Sequence, residues 1–165
     1  MQIAPAEYDT TMPPVAWHPK TRRVHDYWCK IHPGKDLPGR QHFDPLDIAD
    51  LMPQIWLVDV HHAPMRLRYR LVGTKATAIF REELTGCWFH EAHPEFVPGA
   101  AHYADYAFVA ESGQPICSRG KPILNYEPNF TKRERLILPL ARDGRHVDMM
   151  LCMMVIFARD GREAL

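Results

Sequence analysis

IWLVDVHHAPMRLRYRLV, residues 55–72, decides the fold. Ile55 to Val60 is nearly all apolar, whereas Arg66 to Val72 alternates Arg66, Arg68 and Arg70 against Leu67, Tyr69 and Leu71. A period of two marks a strand with one wet face, and a short continuous apolar run marks a strand covered on both. With Ala63-Pro64 in the turn between them, the two segments are expected to pair as a hairpin.

Downstream, Gly73-Thr74 opens a helical turn carrying Ala76, Ile79 and Phe80, and residues 81–93 read as short helical pieces and loop. A longer helix is expected from Phe96 to Ser112, closed by Gly113, with Phe96, Ala100, Tyr103, Ala107 and Ala110 on its inner arc and His102 and Asp105 on the opposite side. Three more strands follow near 115–126, 133–141 and 147–159, the last two joined by the turn Arg142-Asp143-Gly144. Two strands, a helical block and three strands amount to an α+β fold, a five-stranded antiparallel sheet with helices packed on one face.

Upstream, residues 1–20 carry Pro5, Pro13, Pro14 and Pro19 with little apolar periodicity, which reads as an extended or poorly ordered arm. The domain then occupies 21–165, its core 44–158. A helix over 21–32 precedes that core, with Val24, Tyr27, Trp28 and Ile31 at i, i+3, i+4, i+7 and Pro33-Gly34 as its stop. Asp44-Pro45 announces a short second helix with Ile48, Leu51 and Met52 as its apolar face, ended by Pro53. The segment 149–157, MMLCMMVIF, is apolar at every position, so its strand needs cover on both faces. The stripe from Val24 to Ile31, from the same chain or a second copy, is the candidate cover, and a homodimer would bury what remains.

Composition narrows the function. The chain has 165 residues, 46% of them hydrophobic, enough for one core without metals or disulfides. Lys and Arg number 20 against 20 Asp and Glu, and no basic run exceeds a triplet, which argues against nucleic acid as a partner. No apolar run approaches the roughly 20 residues of a membrane span, and the first 16 residues do not read as a signal peptide, so a cytoplasmic protein without membrane contact is expected. Cys29, Cys87, Cys117 and Cys152 lie far apart, a spacing that suits buried reduced thiols.

The particular wording of the chain from about Tyr27 to Phe157 resembles a PAS-like family known largely from alphaproteobacteria, typified by single-domain PAS proteins. The residues that carry this are Tyr27-Trp28, Leu37-Pro38-Gly39-Arg40, Phe43 through Ile48, Leu51-Met52-Pro53, Ile55 through Val60, Arg68 through Thr74, Leu84-Thr85-Gly86, Glu134 through Leu140, and Val147 through Met150. The resemblance implies a sheet in the spatial order 2-1-5-4-3, counting strands along the chain, with a core that includes Leu57, Tyr69, Leu71, Ile79, Phe80, Tyr103, Leu138 and Cys152. It further implies a bacterial sensor or adaptor in signal transduction, acting through a separate protein such as a kinase or regulator, and it leaves the ligand open.

Candidate chemistry is sparse. His90 and His93 are three residues apart with Pro94 behind them, whereas two zinc ligands on a helix stand at i, i+4; His61-His62 sits at a hairpin turn where neighbouring side chains diverge. No metal site is therefore expected. Some PAS domains hold haem through a histidine on the long helix, and His102 lies there, but its place beside Asp105 on the polar side argues against ligation. Gly86-Cys87-Trp88-Phe89 lacks the polar neighbours of a flavin-reactive cysteine motif, so Cys87 reads as an ordinary thiol and the cofactor stays open. Ser118, Cys117, Glu82-Glu83 and Asp47-Asp50 assemble no catalytic pattern, and no enzymatic activity is expected.

Two functions remain: a sensor that encloses a small ligand, and a ligand-free interaction adaptor. A sensor's pocket would lie between the inner sheet face and the helical block, walled by Tyr69, Leu71, Trp88, Tyr103, Met150 and Cys152, with a cavity of a few hundred Å³. Arg40 is the candidate polar clamp for a ligand carboxylate, its alternative being a brace for its own loop.

Overall fold

The computed structural model describes residues 8–122 and 130–164. Six strands form one antiparallel sheet: β1 (Tyr8–Asp9), β2 (Ile55–His61), β3 (Arg66–Val72), β4 (Ile116–Gly120), β5 (Phe130–Leu140) and β6 (Met149–Ala158), in the spatial order β1-β4-β5-β6-β2-β3. Leaving out the two-residue β1, this is the expected order 2-1-5-4-3. The expected third strand ran on to 126, and its positions 123–126 lie outside the described residues.

Both faces of this sheet are covered. Helices α1 (Pro19–Lys30), α2 (Thr74–Phe80), α3 (Phe89–Ala92) and α4 (Ala101–Ser112) divide between them. On the inner face Trp56, Val58, Met150, Cys152 and Met154 pack against Ile79, Phe89, Tyr106 and Val109 from α2, α3 and α4. On the outer face Leu57, Leu136, Leu138, Leu151 and Met153 pack against Val24, Tyr27 and Trp28 of α1, with Ile31 at the rim. The two-sided apolar character of β6 is thus answered by the chain's own first helix. Each such side chain contributes roughly 1.5–3 kcal/mol when fully buried.

Local chemistry places α1. Pro19 occupies its first turn, where a missing N–H costs nothing, and the His18 side chain caps it by accepting from Lys20 N at 3.2 Å. Trp28 Nε1 donates to the Pro139 carbonyl of β5 at 2.9 Å, and Asp44 N donates to the Tyr27 hydroxyl at 2.9 Å, so the helix is hydrogen-bonded to the surface it covers. Asp44 also caps the turn Pro45–Ile48 by accepting from Leu46 N at 2.9 Å, although that turn is a 3-10 rather than an α-helix.

Over its described part the arm runs along the sheet edge, where Tyr8 and Asp9 pair with Gly120 and Arg119, and the Trp17 indole donates to Met12 O at 3.0 Å. A proline-rich stretch is already extended and can use the hydrogen bonds that an edge strand leaves open. Two expectations require correction. Leu71 is not in the core but 38% exposed. The pairing of β2 with β3 slips by one residue between Leu57 and Val58, so Leu71 faces Leu57 while Tyr69 faces Val58. The extra residue, Arg70, is a bulge that turns Leu71 to the other face from Leu67 and Tyr69.

The second correction is the phase of α4. It begins at Ala101, after Pro98 and a Gly99 with φ of +96°, so Phe96 does not share its periodicity. Its buried residues are Asp105, Tyr106, Val109 and Ala110, while Tyr103 and Phe80 are only half-buried. Asp105 is buried because Arg135 of β5 meets it, a long-range pairing that helix periodicity does not reveal.

Candidate functional site

Between the inner sheet face and the helical block lies a cavity of about 40 Å³. Its apolar wall is a ring cluster: Tyr69 of β3 stacks on Phe89 of α3 with centroids 4.3 Å apart, Phe89 meets Phe96 and Tyr106 each at 5.2 Å, and Trp56 of β2 meets Phe80 of α2 at 5.5 Å. Edge-to-face and offset contacts of this kind are favoured arrangements of aromatic pairs, and they pack the rings against one another along this wall.

The remaining wall is polar. Strand alternation turns Arg133 and Arg135 inward together while Glu134 faces the other side, where it accepts from His18 N at 2.8 Å and from Arg119 Nε at 2.9 Å. Arg133, 2% exposed, donates to the Ser118 hydroxyl at 2.9 Å. Arg135 pairs with Asp105 and lies 5.3 Å over the Tyr106 ring. From the helices come His93, whose Nε2 is 2.8 Å from the Tyr69 hydroxyl, and His102. Burial pushes both histidines below the ordinary value of 6.5, with Arg135 adding to the effect at His102 and Glu95 opposing it at both, so both rings are neutral at neutral pH.

Two donor or acceptor atoms of this wall have no hydrogen-bond partner among the described residues: Trp56 Nε1, on a side chain 1% exposed, and His102 Nε2. Buried polar atoms in native proteins are ordinarily paired, and exceptions call for a physical account.

Among the six residues expected to wall a pocket, Tyr69 lines this cavity. Met150 and Cys152 lie in the inner core under it, burial pushing the Cys152 thiol far up. Leu71 is turned away by the bulge. Trp88 is half-buried outside β3, with the Arg66 guanidinium 4.1 Å over its ring and His61 at 5.1 Å. Tyr103 lines a separate open groove of about 360 Å³ with Met65, Arg66, Leu67 and Val97. Arg40 is exposed on the far side of the sheet, bonding its own loop at Phe43 O (2.9 Å) and lying 5.4 Å over the Phe43 ring.

Arg133, Arg135, Trp56 and His102 were not expected here. A signal existed in Lys132-Arg133-Glu134-Arg135, a charged run inside a strand otherwise apolar to Leu140, where a central strand must bury every second charge. The angular ground for setting His102 aside from haem does not hold, because His102 lines the cavity. Cys29 is also exposed rather than buried, while burial raises Cys117 to about 12. Among the described residues no three His, Cys, Asp or Glu side chains converge as a metal site, and no helix is long and apolar enough to cross a membrane.

A family model described as a PAS domain matches residues 16–155. No curated protein matches the chain.

Proposed function

The chain belongs to the PAS-domain family, and from that premise we propose that it is a non-catalytic sensor, of the bacterial branch its wording resembles, which binds a small ligand and signals through a separate partner protein. The observation that carries this reading is the inner cavity, lined by Trp56 and His102, each with a buried ring nitrogen that has no hydrogen-bond partner among the described residues, and by two arginines. A core selected only for packing would not retain such atoms, because each unmade hydrogen bond costs roughly 1–3 kcal/mol. Ligand-filled cavities elsewhere are commonly several hundred Å³, so the ligand is small or is admitted by movement of the ring cluster.

The same volume, about 40 Å³, favours a second reading, a ligand-free interaction adaptor in a signalling pathway. Native mass spectrometry of the freshly purified protein, paired with a thermal-shift screen of small polar metabolites, separates the two. A retained or stabilising ligand whose effect is lost in Trp56→Phe supports sensing. A ligand-free protein stabilised by none of them, and by an identified kinase or regulator alone, supports the adaptor.

A further inference from the structure

Strand alternation leaves Lys132 on the same side of β5 as Glu134 and directly opposite Phe157 of β6, at the end of the sheet where α1 begins. A surface groove of about 230 Å³ lies there, lined by Arg119 of β4, Thr131 and Lys132 of β5, and Phe157, Ala158 and Arg159 at the end of β6. Three cations share this groove, and neither Asp nor Glu lines it among the described residues.

The three cations are not equivalent. Arg119 is committed: it donates to Glu134 through Nε at 2.9 Å and to the Ala16 carbonyl at 3.1 Å, and its guanidinium stands 5.7 Å over the Phe157 ring. Lys132 and Arg159 are exposed, and neither side chain makes an ion pair or hydrogen bond among the described residues. The carboxylates nearby are engaged elsewhere, Glu134 with Arg119 and His18 N, Glu163 with Lys20 at 2.6 Å, and Asp160 with Arg162 at 3.8 Å. The Thr131 hydroxyl already donates to the Ala158 carbonyl at 3.1 Å, which leaves Lys132 and Arg159 as the side-chain donors open to an occupant.

Charge sets the sign of that occupant, and exposure sets its kind. A small free anion gains little in an open groove, because water screens each exposed charge pair and solvates both partners. A segment of protein chain carrying several carboxylates engages both cations at once and can lay an apolar side chain on Phe157. We propose that this groove docks an acidic segment of a partner protein, with Lys132 and Arg159 holding its carboxylates and Phe157 receiving an apolar side chain. This rests on the reading of a chain that acts through a separate protein, and adds the place and chemistry of the contact. Arg119 is the positioning group: tied to Glu134 and the Ala16 carbonyl, it fixes one edge of the groove against the segment that leads into α1.

The test is fluorescence anisotropy of the full chain with a fluorescein-labelled peptide of four glutamates around one phenylalanine, beside the same peptide with four glutamines, and with inorganic phosphate as an unlabelled competitor. The glutamate peptide is expected to bind saturably, the glutamine peptide at least about ten-fold more weakly, and the difference to shrink as salt is raised. The double variant Lys132→Glu with Arg159→Glu is expected to weaken the glutamate peptide about ten-fold or more. Arg142→Glu with Arg145→Glu makes the same change in net charge on exposed residues at the opposite end of β5 and β6, and is expected to stay within about two-fold of the unaltered protein. Circular dichroism checks each fold, and Lys132→Gln with Arg159→Gln replaces the reversed pair if that pair does not fold. Equal losses in the two reversed variants, or no saturable binding of the glutamate peptide, would overturn the site, and phosphate that displaces the peptide at equal concentration would overturn the partner segment in favour of a free anion. The wider reading fails on a different result, a protein that retains no metabolite and that no kinase or regulator stabilises.

Discussion

Arg135 on β5 and Asp105 on α4 form an ion pair inside the protein, with side chains 7% and 8% exposed, thirty residues apart in the chain. A carboxylate and a guanidinium taken out of water together are tolerable because each meets the other, and removing one leaves the other charged and stranded. Asp105→Ala is therefore expected to destabilise the fold by roughly 3–5 kcal/mol, and the double change Asp105→Leu with Arg135→Met to cost far less. Urea denaturation of the three proteins measures this; a double variant as unstable as the single one would refute the pair's role.

Removing α1 uncovers the outer face of β5 and β6. Trp28→Ala is expected to cost about 3–5 kcal/mol by emptying a buried site and deleting the bond to Pro139 O. A truncation lacking residues 1–32 should aggregate or change its assembly in light scattering, because Leu136, Leu138, Leu151 and Met153 would face water. A well-behaved, unchanged species would contradict the account of this face.

The bulge at Arg70 gives neighbouring leucines opposite environments. Leu67→Ala, on the inner face, is expected to cost about 2–5 kcal/mol, whereas Leu71→Thr should stay within about 0.5 kcal/mol. Equal losses in thermal or urea unfolding would mean that the strand register is regular.

Acid should weaken the fold through its half-buried histidines. His93 and His102 have folded values below 6.5, so stability is full above that ordinary value. As pH falls through 6.5 the unfolded chain takes up protons that the folded chain refuses, and stability declines until the folded values are passed. The melting temperature should therefore drop between pH 7.5 and 5.5, by less in the double variant His93→Gln with His102→Gln. A variant with an undiminished drop would assign the acid sensitivity elsewhere.

Thiol reactivity should separate by burial. Cys117, raised to about 12, is thiolate in only about one molecule in ten thousand at pH 8, and Cys152 is enclosed as well. An aromatic disulfide reagent is expected to label exposed Cys29 in the native protein, and Cys117 and Cys152 only after denaturant. Rapid native labelling of Cys117 would show that the sheet between β4 and β5 opens.

Much of the architecture is local in origin and could be read from the residues alone. The alternation at 66–72, the apolar run of 149–157 and the stripe Val24, Tyr27, Trp28 express the periods of strand and helix, which depend on backbone geometry and water, and they required that something cover the second face of β6. The resemblance supplied the order of the strands, and the pairings agree with it. What only the tertiary structure decided was wherever a distant residue overrode a local period. The register of β2 against β3 slips at Arg70, Asp105 turns inward where Arg135 meets it, and Leu71, Trp88 and Tyr103 leave the cavity to Trp56, His102 and Arg133. A charge reads as solvent-facing until the chain has folded, because its cost of burial is cancelled only by a partner whose position is set by the fold as a whole.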